Sequence, residues 1–407
     1  MPRFPAVGAD AAYLRMSVFA TLGDMMRRAP PGVIQLHIGD TFLSPPPEAR
    51  FEAPPWAAHE AERGLYRYGH PHGLPELRAA LAEKLTRRNG LIAGPDDVQV
   101  TSGATQAIFS GVRALLDPGD EVIIASPFWP LIRGIVRAAG GVPVEVPLSQ
   151  PLYEDPSRDA AALLEPAVTA RTVAIYLITP NNPDGKVLGR AQLERVAALA
   201  RAHDLWVVSD EAYEEYVWPA EGAGAGAPAG GGEGHVSIGA LPGMAERTLT
   251  SFTFSKSYAM SGTRLGYLHA PEPARAAMRR ISNHVVYNTP KAAQWCALGA
   301  LERGAQWVAA AQRAYRVARD ETVAALRAQG ADFHAPEGGA YAFVRVPGYR
   351  AEDGSWAFIE RAVQAGVSLA PGEAFGAAYG GYFRLCYTAV GLDDLRAGLE
   401  RLGCVLR

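Results

Sequence analysis

The stretch Arg247–Ala270, "RTLTSFTFSKSYAMSGTRLGYLHA", sets one lysine, Lys256, among hydroxyl-bearing and small residues, with Arg264 eight positions on and no acid in the run. "RTLTSFTF" is rich in β-branched and aromatic residues and reads as a buried strand, a Ser/Gly-bearing loop follows, and "RLGYLHA" reads as the next strand. A solvated surface lysine usually has Glu or Asp beside it, and Lys256 has neither. Whether it carries chemistry depends on what else gathers at the same edge of the fold.

Outward from this stretch the pattern repeats. "DVQVT" (97–101), "DEVIIAS" (120–126), "VPVEVPL" (142–148), "TVAIYLIT" (172–179) and "LWVVSD" (205–210) also read as strands, while "TQAIFSGVRALL" (105–116) and "AQLERVAALARAH" (191–203) carry apolar residues every three to four positions, as amphipathic helices do. Seven such strands alternating with helices predict an α/β domain with a mostly parallel sheet over residues 49–290. Beyond it, 304–330 reads as one long helix, "AYAFVRV" and "YFRLCYTAV" as strands, and "DDLRAGLERL" as a terminal helix. These predict a smaller α+β domain over 291–407, with residues 1–48 forming an N-terminal arm or part of that smaller domain. The Gly/Ala-rich segment Glu221–Gly234 is too small-residue-rich to pack and is expected to be a mobile surface loop.

Composition narrows the function. At 407 residues the chain is long enough for two or three domains, and a formal charge of −3 gives no electrostatic footprint for nucleic acid or an anionic membrane surface. Cys296, Cys386 and Cys404 have neither disulfide-framework density nor metal-ligand spacing, so no metal and a reducing compartment are expected. No run has signal-peptide or membrane-span character, and a cytoplasmic location is the default expectation.

In open α/β sheets, ligands sit at the carboxyl ends of strands. After "DVQV" comes "TSGATQAIF", a Gly-containing turn at a helix N-terminus, where free N–H groups favour a phosphate; the plain alternative is a helix cap by Thr101 or Ser102. After "DEVIIA" comes "SPFWP", whose Phe128 and Trp129 offer either an aromatic cover for a planar ring or a hydrophobic anchor. After "TVAIYLIT" comes "PNNPDGK", a turn that presents the Asn182 amide. "LWVVSD" ends in Asp210 and Glu211 with Tyr213 close behind; a carboxylate at a buried strand end is costly without a cation or proton, unless Asp210 only caps a helix. Thr253, Ser255 and Arg264 around Lys256 suit a phosphate. Pyridoxal phosphate needs all of these together: a lysine for its aldehyde, a phosphate cradle, a carboxylate to keep its ring nitrogen protonated, and an aromatic face.

These motifs resemble the class I/II aminotransferases of pyridoxal-phosphate fold type I along nearly the whole chain. The resemblance rests on "FTFSK" followed by "TRLGY", "NNPDG", "SDEAY" and "YGHPHGLPELR". It implies that Lys256 holds the cofactor covalently, that Asp210 pairs with the pyridine nitrogen, and that Tyr213 and Asn182 hydrogen-bond the phenolic oxygen. It further implies that Trp129 stacks on the ring, and that Ser102, Gly103, Ala104, Thr253 and Arg264 bind phosphate. Tyr68 would reach a neighbouring subunit's phosphate, so a homodimer is implied.

Arg384 in the apolar strand "YFRLCYTAV" is costly without an anion unless it faces outward. The resemblance gives it the substrate α-carboxylate, with Gly39 of "LHIGD" approaching through its backbone. The expected activity is transfer of an amino group from an L-α-amino acid to a 2-oxo acid. A β-eliminating lyase or an oxidase with the same cofactor, or a non-catalytic cofactor-binding regulatory domain, are the alternatives.

Some features depart from the family pattern. "GDTFLSPPP" stands for the usual Gly-Glu-Pro-x-Phe, and His70, His72 and His284 fall near the expected entrance. Family members specific for dicarboxylates can place an arginine from the neighbouring subunit against the distal carboxylate, just ahead of a "YNTP"-like turn, where this chain has His284, and a neutral imidazole does not replace a guanidinium. With Phe42, Tyr13 and Phe19 as expected lining, large neutral side chains, aromatic or aliphatic, are predicted over aspartate.

Overall fold

The computed structural model describes residues 18–52, 64–219 and 234–407, together with Gly8, Ala11 and Leu14. After a two-residue strand β1 (Ile34–Gln35), the main sheet is built from β2 (Val98–Thr101), β3 (Glu121–Ser126), β4 (Val142–Pro147), β5 (Thr172–Ile178), β6 (Trp206–Asp210), β7 (Thr248–Thr253) and β8 (Gly266–His269). Their order is β2-β8-β7-β6-β5-β3-β4. Each of the seven strands read from the sequence is present. Only β8 runs against its neighbours β2 and β7; the other pairings are parallel.

Helices cover both faces, which is why β2, β3, β7 and β8 are buried at every residue rather than at alternate ones. In chain order the helices that matter here are α1 (Val18–Met26), α2 (Pro75–Asn89), α3 (Gly103–Leu115), α4 (Arg190–Ala202), α5 (Ala274–Val285), α6 (Lys291–Arg303), α7 (Ala305–Ala328), α8 (Gly354–Gln364) and α9 (Leu392–Leu406). α3 packs Ala107 with Leu249 and Leu268 of the sheet and Met278 of α5. On the other face α4 packs Leu193, Val196 and Ala197 with Ile175 and Val207. α2 starts on Pro75 and stops at Gly90, whose φ of 68° is the left-handed conformation that ends helices. Its Leu77, Leu81 and Leu85, one turn apart, meet Ala293, Cys296 and Ala297 of α6.

α7 is 24 residues long, about 36 Å at 1.5 Å per residue. Its Val308 sits with the α2–α6 cluster, while Ala318 and Leu326 join the cluster containing Leu399 and Leu402 of α9. The smaller sheet orders β11 (Ala370–Pro371), β12 (Tyr382–Cys386) and β9 (Tyr341–Arg345), all antiparallel, and β1 pairs in parallel with β10 (Val367–Ser368). α8 closes this unit by stacking Phe358 on Phe383, ring centroids 5.0 Å apart.

Register aligns the sheet's functional edge. Ile178, Asp210 and Ser251 are level across β5, β6 and β7, and Thr101, Gly266 and Thr253 are level across β2, β8 and β7. The loops leaving β2, β3, β5, β6 and β7 therefore converge. A side chain at Gly266 would put its Cβ 2.7 Å from the Ala104 nitrogen, so glycine lets the N-terminus of α3 sit directly against the sheet end.

Candidate active site

Lys256 lies three residues past the end of β7. Thr253 Oγ1 accepts from the Ser255 amide at 3.1 Å and caps a single helical turn, Phe254–Ser257, which turns Lys256 back over the sheet. Its Nζ donates to the carbonyl of Gly39, in the loop after β1, and lies 6.0 Å from the Tyr213 ring centroid. The lysine borders a cavity of about 660 Å³, which Gly39, Ala104, Trp129, Asn182, Asp210, Tyr213, Thr253, Arg264 and Arg384 also line.

One part of the lining is built around Arg264. Arg264, in the left-handed region at φ 50°, donates from Nη1 to the Ser261 carbonyl at 2.8 Å and has no carboxylate partner among the described residues. Gly103, at φ 79°, makes room for it: a Cβ there would lie 2.6 Å from Arg264 Nη2. Ser102 is the N-cap residue of α3 but makes no side-chain cap bond; its own amide donates to Gln106 Oε1 at 2.6 Å. The capping alternative for "TSGAT" is therefore not realised by Ser102, and the first-turn amides stand beside a guanidinium and the Thr253 and Ser255 hydroxyls, as a phosphate requires. Ser102 and Gly103 flank the cavity rather than line it.

Asp210, 3% exposed, occupies the floor. Tyr176 donates to its Oδ2 at 2.9 Å and the Ala212 amide to its Oδ1 at 3.2 Å, yet no cation meets it among the described residues. Burial raises its pKa to about 6, against the pull of those two hydrogen bonds. Glu211 next to it is equally buried but satisfied: its carboxylate accepts from Ser209 Oγ, His235 Nε2 and Ser237 Oγ at 2.9, 2.7 and 2.5 Å. The two adjacent acids thus differ, and the unneutralised one faces the cavity. The aromatic pair also splits, since Trp129 lines the cavity whereas Phe128 is fully buried in the core and is an anchor.

Arg384, also in the lining and 2% exposed, donates to Asn182 Oδ1 at 2.9 Å and to the His37 carbonyl at 2.7 Å. Its guanidinium lies 4.2 Å from the Tyr341 ring centroid and its Nε has no hydrogen-bond partner among the described residues. A buried guanidinium without a carboxylate is arranged to receive one. His37, held by Ser368 at 2.7 Å, has its pKa lowered to about 4 by burial and then by Arg384, so it stays neutral.

Several residues fall elsewhere. Tyr68 is 84% exposed, edge-on to Tyr287 at 5.3 Å, and outside its own chain's cavity. His284 is exposed and bonds the Arg280 carbonyl through Nδ1; His70 and His72 face each other at 4.9 Å, and none of the three lines the cavity. Phe42, expected as lining, turns edge-on to Tyr315 and is not part of the wall; Met26 and Ile38 supply the apolar lining from the N-terminal segment instead. Tyr13, the side chain of Phe19 and residues 220–233 lie outside the described residues. Tyr341, His37, Thr105 and Ser261 are lining residues that sequence reasoning missed. Tyr341 and His37 sit in apolar runs that read as core, and nothing in their spacing marks them.

The family description "Aminotransferase class I and II" matches residues 31–402. The chain belongs to that family. This aminotransferase is 38% identical over 368 residues to the aspartate/prephenate aminotransferase of Thermus thermophilus, covering 88% of this chain and 89% of that one. It is 35% identical over 381 residues to aromatic-amino-acid aminotransferase 2 of Thermococcus litoralis, covering 92% of each. Among solved structures, a single mutant of Thermus thermophilus aspartate aminotransferase superposes with a TM-score of 0.87 at 33% identity, covering 99% of this chain and 100% of that one. The aminotransferase thus has the expected fold type I architecture, and class I/II aminotransferases depend on pyridoxal phosphate. The cavity fits that group: an anion cradle that a Cβ at Gly103 would fill, a buried acid lacking a cation, and a lysine between them.

Proposed function

We propose that the enzyme moves an amino group from a large neutral L-α-amino acid to a 2-oxo acid, with Lys256, Asp210 and Arg384 as the residues that carry the reaction. The observation behind this reading is that one cavity is lined by two unneutralised buried charges, an acid at the sheet end and an arginine about which no carboxylate gathers, together with Lys256. Bound pyridoxal phosphate supplies the electron sink that makes the substrate's Cα proton removable. Asp210 would hold the ring nitrogen protonated, Tyr213 and Asn182 would bond the phenolic oxygen, and Trp129 would cover the ring. Arg264, Thr253, the Ser102 hydroxyl and the α3 amides at Gly103 and Ala104 would bind the phosphate. Arg384, with the Gly39 backbone, orients the substrate carboxylate, and the free Lys256 amine moves the proton at Cα.

The side-chain preference rests on the lining. Beyond Lys256, Arg264 and Arg384, which the core reaction uses, no Lys or Arg lines the cavity among the described residues, and Met26, Ile38, Trp129 and Leu131 present apolar surface. Among the described residues of this chain a distal carboxylate meets no further permanent positive charge there. As parts of the same reading we propose a cytoplasmic homodimer in which Tyr68 serves the neighbouring site. We also propose that the large domain of 49–290 extends through α6 to the break at Gly304, because α6 is buried against α2.

The test has two readouts. Borohydride reduction of the holoenzyme followed by peptide mapping should label Lys256; a label on another lysine refutes the site. The ratio of kcat/KM for phenylalanine or leucine over aspartate, at one fixed 2-oxo acid, should exceed one. A smaller ratio refutes the side-chain assignment alone.

A further inference from the structure

Tyr213 and Tyr341 are both buried, 3% and 1% exposed, and their hydroxyl oxygens lie 2.5 Å apart, with the rings 5.6 Å apart and nearly perpendicular. Among the described residues each hydroxyl has the other as its hydrogen-bond partner. Both border the cavity, and the Tyr341 oxygen also packs on Gly39, where an added Cβ would collide with it. Tyr213 follows the β6 strand end on the same loop as Asp210 and borders the cavity.

A buried hydroxyl hydrogen needs an acceptor. Tyr213 has one hydrogen, and if it donated that to Tyr341 it would have none left for an acceptor in the cavity. With Tyr341 as donor both hydrogens are satisfied, because the Tyr213 hydrogen is released toward whatever acceptor occupies the cavity. Burial pushes the Tyr213 phenol well above the usual tyrosine range, so it remains a protonated donor.

We propose that Tyr341 is a positioning residue of the cofactor site, whose hydroxyl donates to Tyr213 and commits the Tyr213 proton to the cofactor's phenolic oxygen. The proposal rests on the reading above that Tyr213 faces that oxygen. Two hydroxyls in series polarise each other, so the outer one strengthens the donation of the inner one. A stronger donor draws charge from the phenolic oxygen, which otherwise helps keep a proton on the adjoining Lys256 nitrogen. Loss of the Tyr341 hydroxyl therefore raises the pH at which that proton leaves. β9 carries Tyr341 and belongs to the smaller sheet, so the second unit of the fold reaches the proton equilibrium of a site built on the first.

The experiment is a pH titration of the visible absorption of holoenzyme in the wild type, Tyr341→Phe, Tyr213→Phe and the double variant. Tyr341→Phe removes one oxygen and keeps the ring over Arg384, so the fold and the carboxylate site have no reason to change. Its spectral midpoint should rise by about half a pH unit. Tyr213→Phe should shift further, and the double variant should match Tyr213→Phe alone. An unmoved midpoint in Tyr341→Phe, a further shift in the double variant, or a rise in KM without a spectral change would each overturn the proposal. A wild type with no pH-dependent visible band, or no label on Lys256, would instead overturn the underlying reading of the site.

Discussion

Replacing Asp210 by asparagine should stabilise the cofactor-free protein at neutral pH while disabling the enzyme. Burial raises the folded-state pKa of this acid from 3.8 to about 6. A carboxyl whose folded pKa lies above its unfolded one costs nothing below about pH 4, where it is protonated in both states. The cost grows as pH rises and is complete above about pH 6. A rise of that size corresponds to about 3 kcal/mol at pH 8, of which about 1 kcal/mol is already present at pH 4.5. The asparagine amide carries no such titration. The stability difference between Asp210→Asn and wild type, from urea denaturation of cofactor-free protein at fixed concentration, should therefore move by about 2 kcal/mol in favour of the variant between pH 4.5 and pH 8. Using the change with pH cancels whatever the amide alters in the hydrogen bonds from Tyr176 and Ala212. With cofactor bound the acid has its cation, and the order of stabilities should reverse at pH 8 as turnover is lost. Parallel pH profiles for the two cofactor-free proteins would mean that Asp210 is neutralised by something else, and its assignment to the pyridine nitrogen would fall.

Arg384→Lys keeps the charge but loses the fork that holds Asn182 and the His37 carbonyl while facing a carboxylate, so KM for the amino acid should rise roughly 10- to 100-fold, the worth of one or two charge-assisted hydrogen bonds. An unchanged KM in steady-state assays would remove Arg384 from substrate binding. Exposed Tyr68 is proposed to act in a neighbouring site, so inactive Tyr68→Ala mixed with inactive Lys256→Ala should recover activity through hybrid dimers with one intact site. Complete absence of recovery, with subunit exchange verified, would refute the shared site.

Most of the architecture is legible in the sequence because the physics that makes a buried parallel strand also makes a short β-branched run, and because the α7 pattern persists over 24 residues. The site is legible where chemistry is out of place: a lysine without acids, an acid ending an apolar strand, an arginine inside another. Tyr341 and His37 escape such reading because an aromatic or a histidine in an apolar segment has no penalty to advertise; only the packing that sets one over Arg384 and the other under it reveals them. Phe128 and Trp129 are adjacent and equally aromatic, and the turn after β3 alone decides which one meets the cavity. The N-terminal wall departs from expectation at Phe42 for a related reason. β1 is two residues long, too short to carry a period that would tell inward from outward positions.

The reversed direction of β8 bears on how the site survives without a ligand. Because β7 and β8 pair with each other, the chain from Phe254 to Leu265 leaves and re-enters the centre of one sheet, and Lys256 and Arg264 are tied at both ends to its interior hydrogen bonds. Amides of the paired strands exchange with solvent only when those strands separate, so both ends of the loop are anchored in the ladder even though Gly262 and Arg264 between them are exposed. The lysine's place is thus set from both ends by sheet pairing, whereas the N-terminal segment that supplies Met26 and Ile38 to the wall lies on separate elements and can change without touching that ladder.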